Sequence, residues 1–462
     1  MTPGTDSTHP SIHPAAGDWP AAERPVLHPD LVAELRRGVH AASGDEDVAR
    51  LFAACLTRTL DYAVTPLPDG SAAVVTGDIP AMWLRDSSAQ LSPYLTLVQA
   101  APGVADLIAA VLRRQLWCIA HDPYANAFNL APDGGRYEPD DRCTDPWIWE
   151  QKYEVDSLAH PVVLAWRWWR ATGRTEVFDR TAHRALALVV EVMTTEQDHE
   201  ARSAYRFERP NGPPSETLAG GGLGTPVALT GMTWSGFRPS DDACRYGYNV
   251  PGNLFAATAL DCLAELAAAV FADPDLARRA CATSQAIRVG VAAHGVVEHP
   301  RFGAVYAYEV DGLGGRLLMD DANLPSLLSL PQLGSCAADD PVWTATRAFV
   351  LSPENPHYVE GAVAAGVGSP HTEPGYVWPL ALMSDALTSG SARRRGEVLA
   401  QLASTHDGTW HIHESFHVDD PARWTRSWFS WGDATYVELA LAHAGPKIGL
   451  TPAPAPSGTG RG

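Results

Sequence analysis

Lysine is almost missing from this sequence: Lys152 and Lys447 are the only two, and arginine carries nearly all the positive charge. That bias reflects coding from a GC-rich genome and has no functional content. The shortage of positive charge as a whole does. With 34 basic against 54 acidic residues the formal net charge is −20, a surface field that repels phosphate backbones and anionic headgroups. Nucleic acid and membrane surfaces are therefore excluded as expected partners, whereas a neutral sugar meets no such barrier. Long apolar runs are also lacking, and the first thirty residues carry prolines without an apolar stretch, so no secretory signal or membrane anchor is read and a cytoplasmic location is expected. The seven cysteines, at positions 55, 118, 143, 244, 262, 281 and 336, include no C-x-x-C spacing. Their number is odd and several lie in apolar helical text, so free thiols in a reducing compartment are expected rather than a disulfide frame. The glycine-rich run 219–224 lacks a P-loop lysine and a flanking strand and helix, which argues against a nucleotide site.

What is present is enough apolar residue, 45% of 462, for a large core that needs neither metal nor disulfide to fold. Residues 1–28 and 446–462 are rich in Pro, Ser and Thr without hydrophobic periodicity and read as disordered tails. Between them, apolar residues recur at helical spacing over 30–41, 47–62, 87–100, 103–120, 154–171, 176–195, 252–271, 274–293, 340–352, 375–388, 391–404 and 432–444. Strand-like text is limited to fragments at 72–76, 203–208 and 302–310. Short turns alternate with long loops dense in Trp, Asp, Arg, Tyr and Glu. This pattern predicts an all-α protein, a single domain over 29–445, with helical hairpins arranged in a ring and the chemistry gathered on one side.

Four loops carry that chemistry. In the first, Asp78, Trp83, Arg85 and Asp86 precede a helix. An aromatic plane can cover the apolar face of a sugar while Arg and Asp bind its hydroxyls; the alternative is an Arg85 to Asp86 salt bridge with capping. The second, Cys143 to Pro161, packs Trp147, Trp149, Glu150, Lys152, Tyr153, Glu154 and Asp156 ahead of an apolar helix, more acid than capping needs. The third, GMTWSGFRPSDDACRYGYNVPGNLFA from Gly231, sets Asp241 and Asp242 between Arg238 and Arg245, with Trp234 before them and Asn249 after. Adjacent acids among aromatics let burial keep one carboxyl protonated while the other stays ionised against arginine. In the fourth, His411, His413 and His417 surround Glu414, and Trp424, Trp428 and Trp431 follow. Alternation would put His411 and His413 on one face of an extended segment, half of a possible metal site, but no third ligand is marked by spacing. Lesser loops at 319–326, 355–358 and 369–379 add further pocket walls.

Taken together, GDIPAMWLRDS, GMTWSGFRPSDDACRYGYNVP, HTEPGYVWP and HESF followed by TRSWFSW resemble the glycoside hydrolase family 125 exo-α-1,6-mannosidases, over roughly residues 50–440 in unbroken order. The resemblance implies an (α/α)6 barrel that releases terminal non-reducing α-1,6-linked mannose from mannosides or glycans, with inversion and with no metal or cofactor. It places the general acid in the Asp241–Asp242 pair, with Asp241 favoured, and the general base at Glu414. Trp83, Arg85, Asp86, Trp234, Arg238, Asp242, Asn249, His371, His413 and Trp431 become the expected substrate-binding residues. Trp431-Gly432-Asp433 departs from the pattern, where Trp-Ala-Asn is expected. On this reading Asp241, its pKa raised by an apolar and aromatic setting, protonates the glycosidic oxygen while Glu414 deprotonates the attacking water. A histidine-based sugar epimerase and a catalytically silent carbohydrate-binding protein are the competing readings. The oligomeric state is not fixed by the sequence.

Overall fold

A computed structural model describes residues 27–139, 141–448, 450 and 453–456. Among these residues twelve helices of eight or more residues follow the predicted segments: α1 (Pro29–Ser43), α2 (Glu46–Arg58), α3 (Leu84–Leu91), α4 (Pro102–His121), α5 (Val155–Thr172), α6 (Arg180–Thr195), α7 (Val250–Ala269), α8 (Pro274–Gly290), α9 (Pro341–Val350), α10 (Pro379–Thr388), α11 (Ala392–Ser404) and α12 (Ser430–Ala444). The architecture is the expected (α/α)6 barrel.

Two helix populations build it. α5, α7, α10 and α12 are buried around most of their circumference, as inner helices must be, whereas α2, α6, α8 and α11 bury one face only. The inner ring runs α3, α5, α7, then the segment 326–335, then α10 and α12 back to α3. That segment stands in for a sixth inner helix: Ser335 bonds Thr258 of α7, while Gln332 bonds Ser384 of α10 and Glu438 of α12. α2, α4, α6, α8, α9 and α11 form the outer layer, and α1 packs on α2 and α12.

The starts of the helices differ between the layers. Asp45, Asp179, Asp273, Asp340 and Ser391 cap outer helices with their own side chains. α3, α5, α10 and α12 begin at Trp83, Glu154, Trp378 and Phe429 with no such cap. Short strands pin these starts instead. Met82–Trp83, Ala127–Phe128 and Ile148–Glu150 form one small sheet, Tyr248–Asn249 pairs with Glu309–Val310, and Tyr376–Val377 pairs with Ser415–His417. The inner helices thus aim their positive dipole ends at one end of the barrel, and Asp86, Asp156 and Asp433 lie in the first turns where that field favours a carboxylate.

The opposite end is closed in part beyond the predicted domain limit of residue 445. A 3-10 turn spans Gly445–Ile448, Arg167 Nε donates to Pro454 O (2.9 Å), and a Cβ on Gly38 would collide with Ile448. The described part of the predicted C-terminal tail is therefore packed against the barrel. The predicted N-terminal tail lies outside the described residues except for its last two, Leu27 and His28, of which Leu27 is buried.

Candidate active site

At the helix-start end, Arg85 is the hub. It is buried, and its guanidinium meets Glu154, Asp156 (3.5 Å), Asp241 (3.4 Å) and Asp86 (3.5 Å). A second donor, the amide of Asn126, reaches Glu150 (3.1 Å), Glu154 (3.4 Å) and Asp241 (3.1 Å). Trp83 Nε1 donates to the same Asp241 oxygen at 3.3 Å. Glu150 has cations of its own, Lys152 at 3.3 Å and Arg209 at 2.8 Å.

Asp241 sits in a tight reversal. Its backbone N–H bonds Arg238 O (2.9 Å) and Arg238 N–H bonds Asp242 O (2.8 Å), which drives Asp241 to φ +65°, the left-handed region that non-glycine residues rarely occupy. Ser240 Oγ anchors the turn on Asp321 (2.7 Å). Asp242 turns the other way, to His371 Nδ1 at 3.3 Å, and is 8% exposed at its side chain against 26% for Asp241.

Glu414 arrives from across the barrel. Its Oε2 accepts from Thr425 Oγ1 (3.0 Å) across the strand pair that sets Ser415 opposite Thr425, and its Oε1 lies 3.8 Å from Arg426. Arg426, itself at φ +51°, is gripped by Asp78, while Thr76 donates to Asp86. His371 feels the charges of Asp242, Glu414 and Asp241 together. The charges of Asp241 and Glu414, remote in sequence, thus both act on one imidazole. Burial alone would lower the His371 pKa, but the bond and charge of Asp242, helped by Glu414 and Asp241, push it up to about 9.

The electrostatics correct one expectation. Asp241 is not in an apolar setting. Burial raises its pKa, but Arg85, a hydrogen bond from Glu154, Lys152 and His371 outweigh that and hold the carboxyl below the usual carboxylate range. Glu154, by contrast, is driven well up, first by burial and then by the charges of Asp241 and Asp156, against the pull of Arg85. Of the two, Asp241 is the one whose ionised form is favoured and Glu154 the one whose ionised form is disfavoured.

Other expectations divide. Trp83, Arg85, Asp86, Asp242 and His371 belong to the cluster. Arg238 borders it but is tied to Glu309 at 2.5 Å. Trp431 underlies it, its ring 5.9 Å from the Arg85 guanidinium. Three nominated binders have structural tasks instead. Trp234 is 1% exposed and stacks on His199 with centroids 3.6 Å apart, so its ring faces are used inside the core. Asn249 is buried and accepts from Gly252 N (2.8 Å) at the start of α7. His413 spends one ring nitrogen on Arg426 O (2.9 Å) and the other on Thr409 (3.2 Å), with its face on Trp424. His411 bonds Arg58 (2.8 Å), so the two imidazoles of the alternating pair are committed to different partners. The Gly432-Asp433 departure has a packing reason. Buried Asp433 accepts from Ile412 N (2.9 Å), and a Cβ at 432 would lie 2.9 Å from Ile412 Cγ2.

Sequence reasoning passed over Asn126, Thr425 and Arg426, and gave Glu154 no role in the site. Asn126 stands in a plain stretch with no signal; Thr425 and Arg426 open the TRSWFSW motif but were given no role of their own. A cavity of about 530 Å³ lies apart from this cluster. It lies on the far side of Trp431 and His160, toward the C-terminal segment, and neither Asp241 nor Glu414 lines it.

A sequence model of the metal-independent alpha-mannosidases, GH125, matches residues 45–441. The chain belongs to this family. The metal-independent α-mannosidase of Streptococcus pneumoniae, solved as a non-productive substrate complex with α-1,6-mannobiose, is 42% identical with a TM-score of 0.87, over 90% of this chain and 99% of that one. The meiotically up-regulated gene 157 protein of Schizosaccharomyces pombe is 37% identical over 91% of this chain and 87% of its own length. A glucoamylase from Hormoconis resinae, 13% identical with a TM-score of 0.51 over 89% of this chain and 77% of that one, shares the fold alone. This family member is thus a glycoside hydrolase.

Proposed function

We propose that this GH125 α-mannosidase cleaves terminal α-1,6-linked mannose with inversion, Asp241 delivering the proton to the leaving oxygen and Glu414 activating water. The observation that carries the assignment is the single network of ion pairs and hydrogen bonds that links Glu414 through Arg426, Thr76, Asp86 and Arg85 to Asp241. The α-1,6-mannobiose held by the pneumococcal relative supports the linkage. Inversion needs the two carboxyl groups on opposite faces of the sugar ring with room for one water between them and the anomeric carbon. Asp241 and Glu414 come from different loops and do not bond each other, which suits that demand. Seven unpaired thiols support a reducing, cytoplasmic compartment.

The test is hydrolysis of α-1,6-mannobiose in the presence of a chelator, with the first-formed anomer followed by proton NMR. Release of β-mannose is expected, and Asp241→Asn and Glu414→Gln each lose on the order of 100-fold or more in kcat. Initial α-mannose would refute inversion. Near-normal turnover in either variant removes that residue from its role, and a dead Asp242→Asn beside an active Asp241→Asn moves the acid to Asp242.

A further inference from the structure

Four carboxylates, those of Glu154, Asp156, Asp241 and Asp86, converge on the one guanidinium of Arg85. Two of them are bound more closely still, because Arg85 and the Asn126 amide each bond both Glu154 and Asp241. Two acids clamped between the same two donors cannot both stay ionised at low cost; such a pair retains a proton in common. Asn126 and Arg85 have no proton to spare in this range and act as donors only. Lys152 is also engaged by Glu150, and Arg85 alone bonds four carboxylates, so more negative charge gathers around that guanidinium than it can balance.

The two members of the pair differ in access. The Glu154 side chain is fully buried, and Ser157 Oγ donates to its Oε2 at 2.7 Å, whereas the Asp241 side chain is 26% exposed at the end of its strained turn. Glu154 cannot meet a sugar. Asp241 can, and it shares the Arg85 and Asn126 donors with Glu154.

We propose that Glu154 is the hidden half of the acid, holding the catalytic proton and passing it through Asp241 to the leaving oxygen. This rests on Asp241 being the general acid. Glu154 first yields its proton to Asp241; as the bond between the anomeric carbon and the glycosidic oxygen then breaks, its electron pair goes to that oxygen, which takes the same proton from Asp241. On the other face Glu414 takes a proton from the water whose oxygen bonds the anomeric carbon. One water is consumed; Glu154 and Asp241 end ionised, Glu414 ends protonated, and exchange with solvent restores the resting state. Glu154 is thus a positioning residue acting through Asp241.

The experiment compares α-1,6-mannobiose, whose leaving group needs a proton, with α-mannosyl fluoride, whose leaving group does not. Glu154→Gln is expected to lose on the order of 100-fold in kcat on mannobiose with KM within about threefold, and to hydrolyse the fluoride within a few-fold of the parent. Asp241→Asn is expected to show the same split, and Glu414→Gln to fail on both substrates. If Glu154→Gln fails equally on both, or turns over mannobiose normally, the relay is overturned. If Asp241→Asn does not show the split, the acid assignment beneath it falls as well, so the two failures are told apart. Should Glu154→Gln not fold, Ser157→Ala, which removes one bond to Glu154, is expected to move the alkaline limb of the kcat/KM profile on mannobiose. An unmoved limb overturns the relay.

Discussion

Trp234 offers the sharpest contrast between a motif-based expectation and the folded molecule. It lies in the loop that carries the acid pair, and its residue type suits sugar stacking. In the structure it is 1% exposed, stacked on His199 at 3.6 Å and near-parallel to Tyr153 at 6.2 Å. Its slot is cut by glycine: a Cβ on Gly247 would lie 2.2 Å from the indole and one on Gly224 2.9 Å. Truncating a tryptophan that buries ~200 Å² forfeits roughly 5 kcal/mol of transfer energy at ~25 cal/mol per Å². Partial collapse of the site places the expected loss for Trp234→Ala at about 4 kcal/mol, within the range seen for large aromatic truncations. With an unfolding entropy near 1 kcal/mol/K for a chain of this size, Tm falls by roughly 4 °C. Chemical denaturation checks the first figure and scanning calorimetry the second, while KM for α-1,6-mannobiose at a temperature where the variant is folded should stay within about twofold. An unchanged denaturation midpoint with a tenfold rise in KM would refute the core assignment and return Trp234 to the sugar.

Trp83→Phe keeps an aromatic plane but removes the Nε1 donor to Asp241, so kcat is expected to fall about tenfold with little change in KM, measured on mannobiose. Gly77 stands at φ +125° with its Cβ position 2.3 Å from Trp428 O, where the Thr76–Asp78 loop meets the start of α12. Gly77→Ala is expected to cost about 2 kcal/mol or more and to displace Asp78 from Arg426, read by denaturation and by loss of kcat. His371 has its folded pKa raised to about 9, so the stability it contributes is present in full below its ordinary value of 6.5 and is lost as pH rises through about 9. The Tm of the parent should therefore drop more steeply between about pH 7 and 9 than that of His371→Gln, and equal slopes would contradict the pairing with Asp242.

The helical ring was legible because its determinants are local. Apolar periodicity fixes a helix within a few residues, as in α4 and α8, and an aspartate before an apolar run announces its start, as at Asp273. That Trp83, Arg85, Asp86 and Asp241 gather in one cluster was expected because their types suit carbohydrate chemistry and stand together in the loops. Which neighbour keeps the proton was not. That depends on the number of cations around each carboxylate, and Arg85, Asn126, Lys152 and His371 are brought to Asp241 and Glu154 from separate stretches of the chain. The same holds for Trp234 and Asn249, whose composition suits a binding loop but which the packing turns inward. Residue types and spacing determined the ring and the kit of acids at one end of it. Only the tertiary structure decided how charge is shared within that kit, because electrostatic energy depends on separation and burial in space rather than on order along the chain.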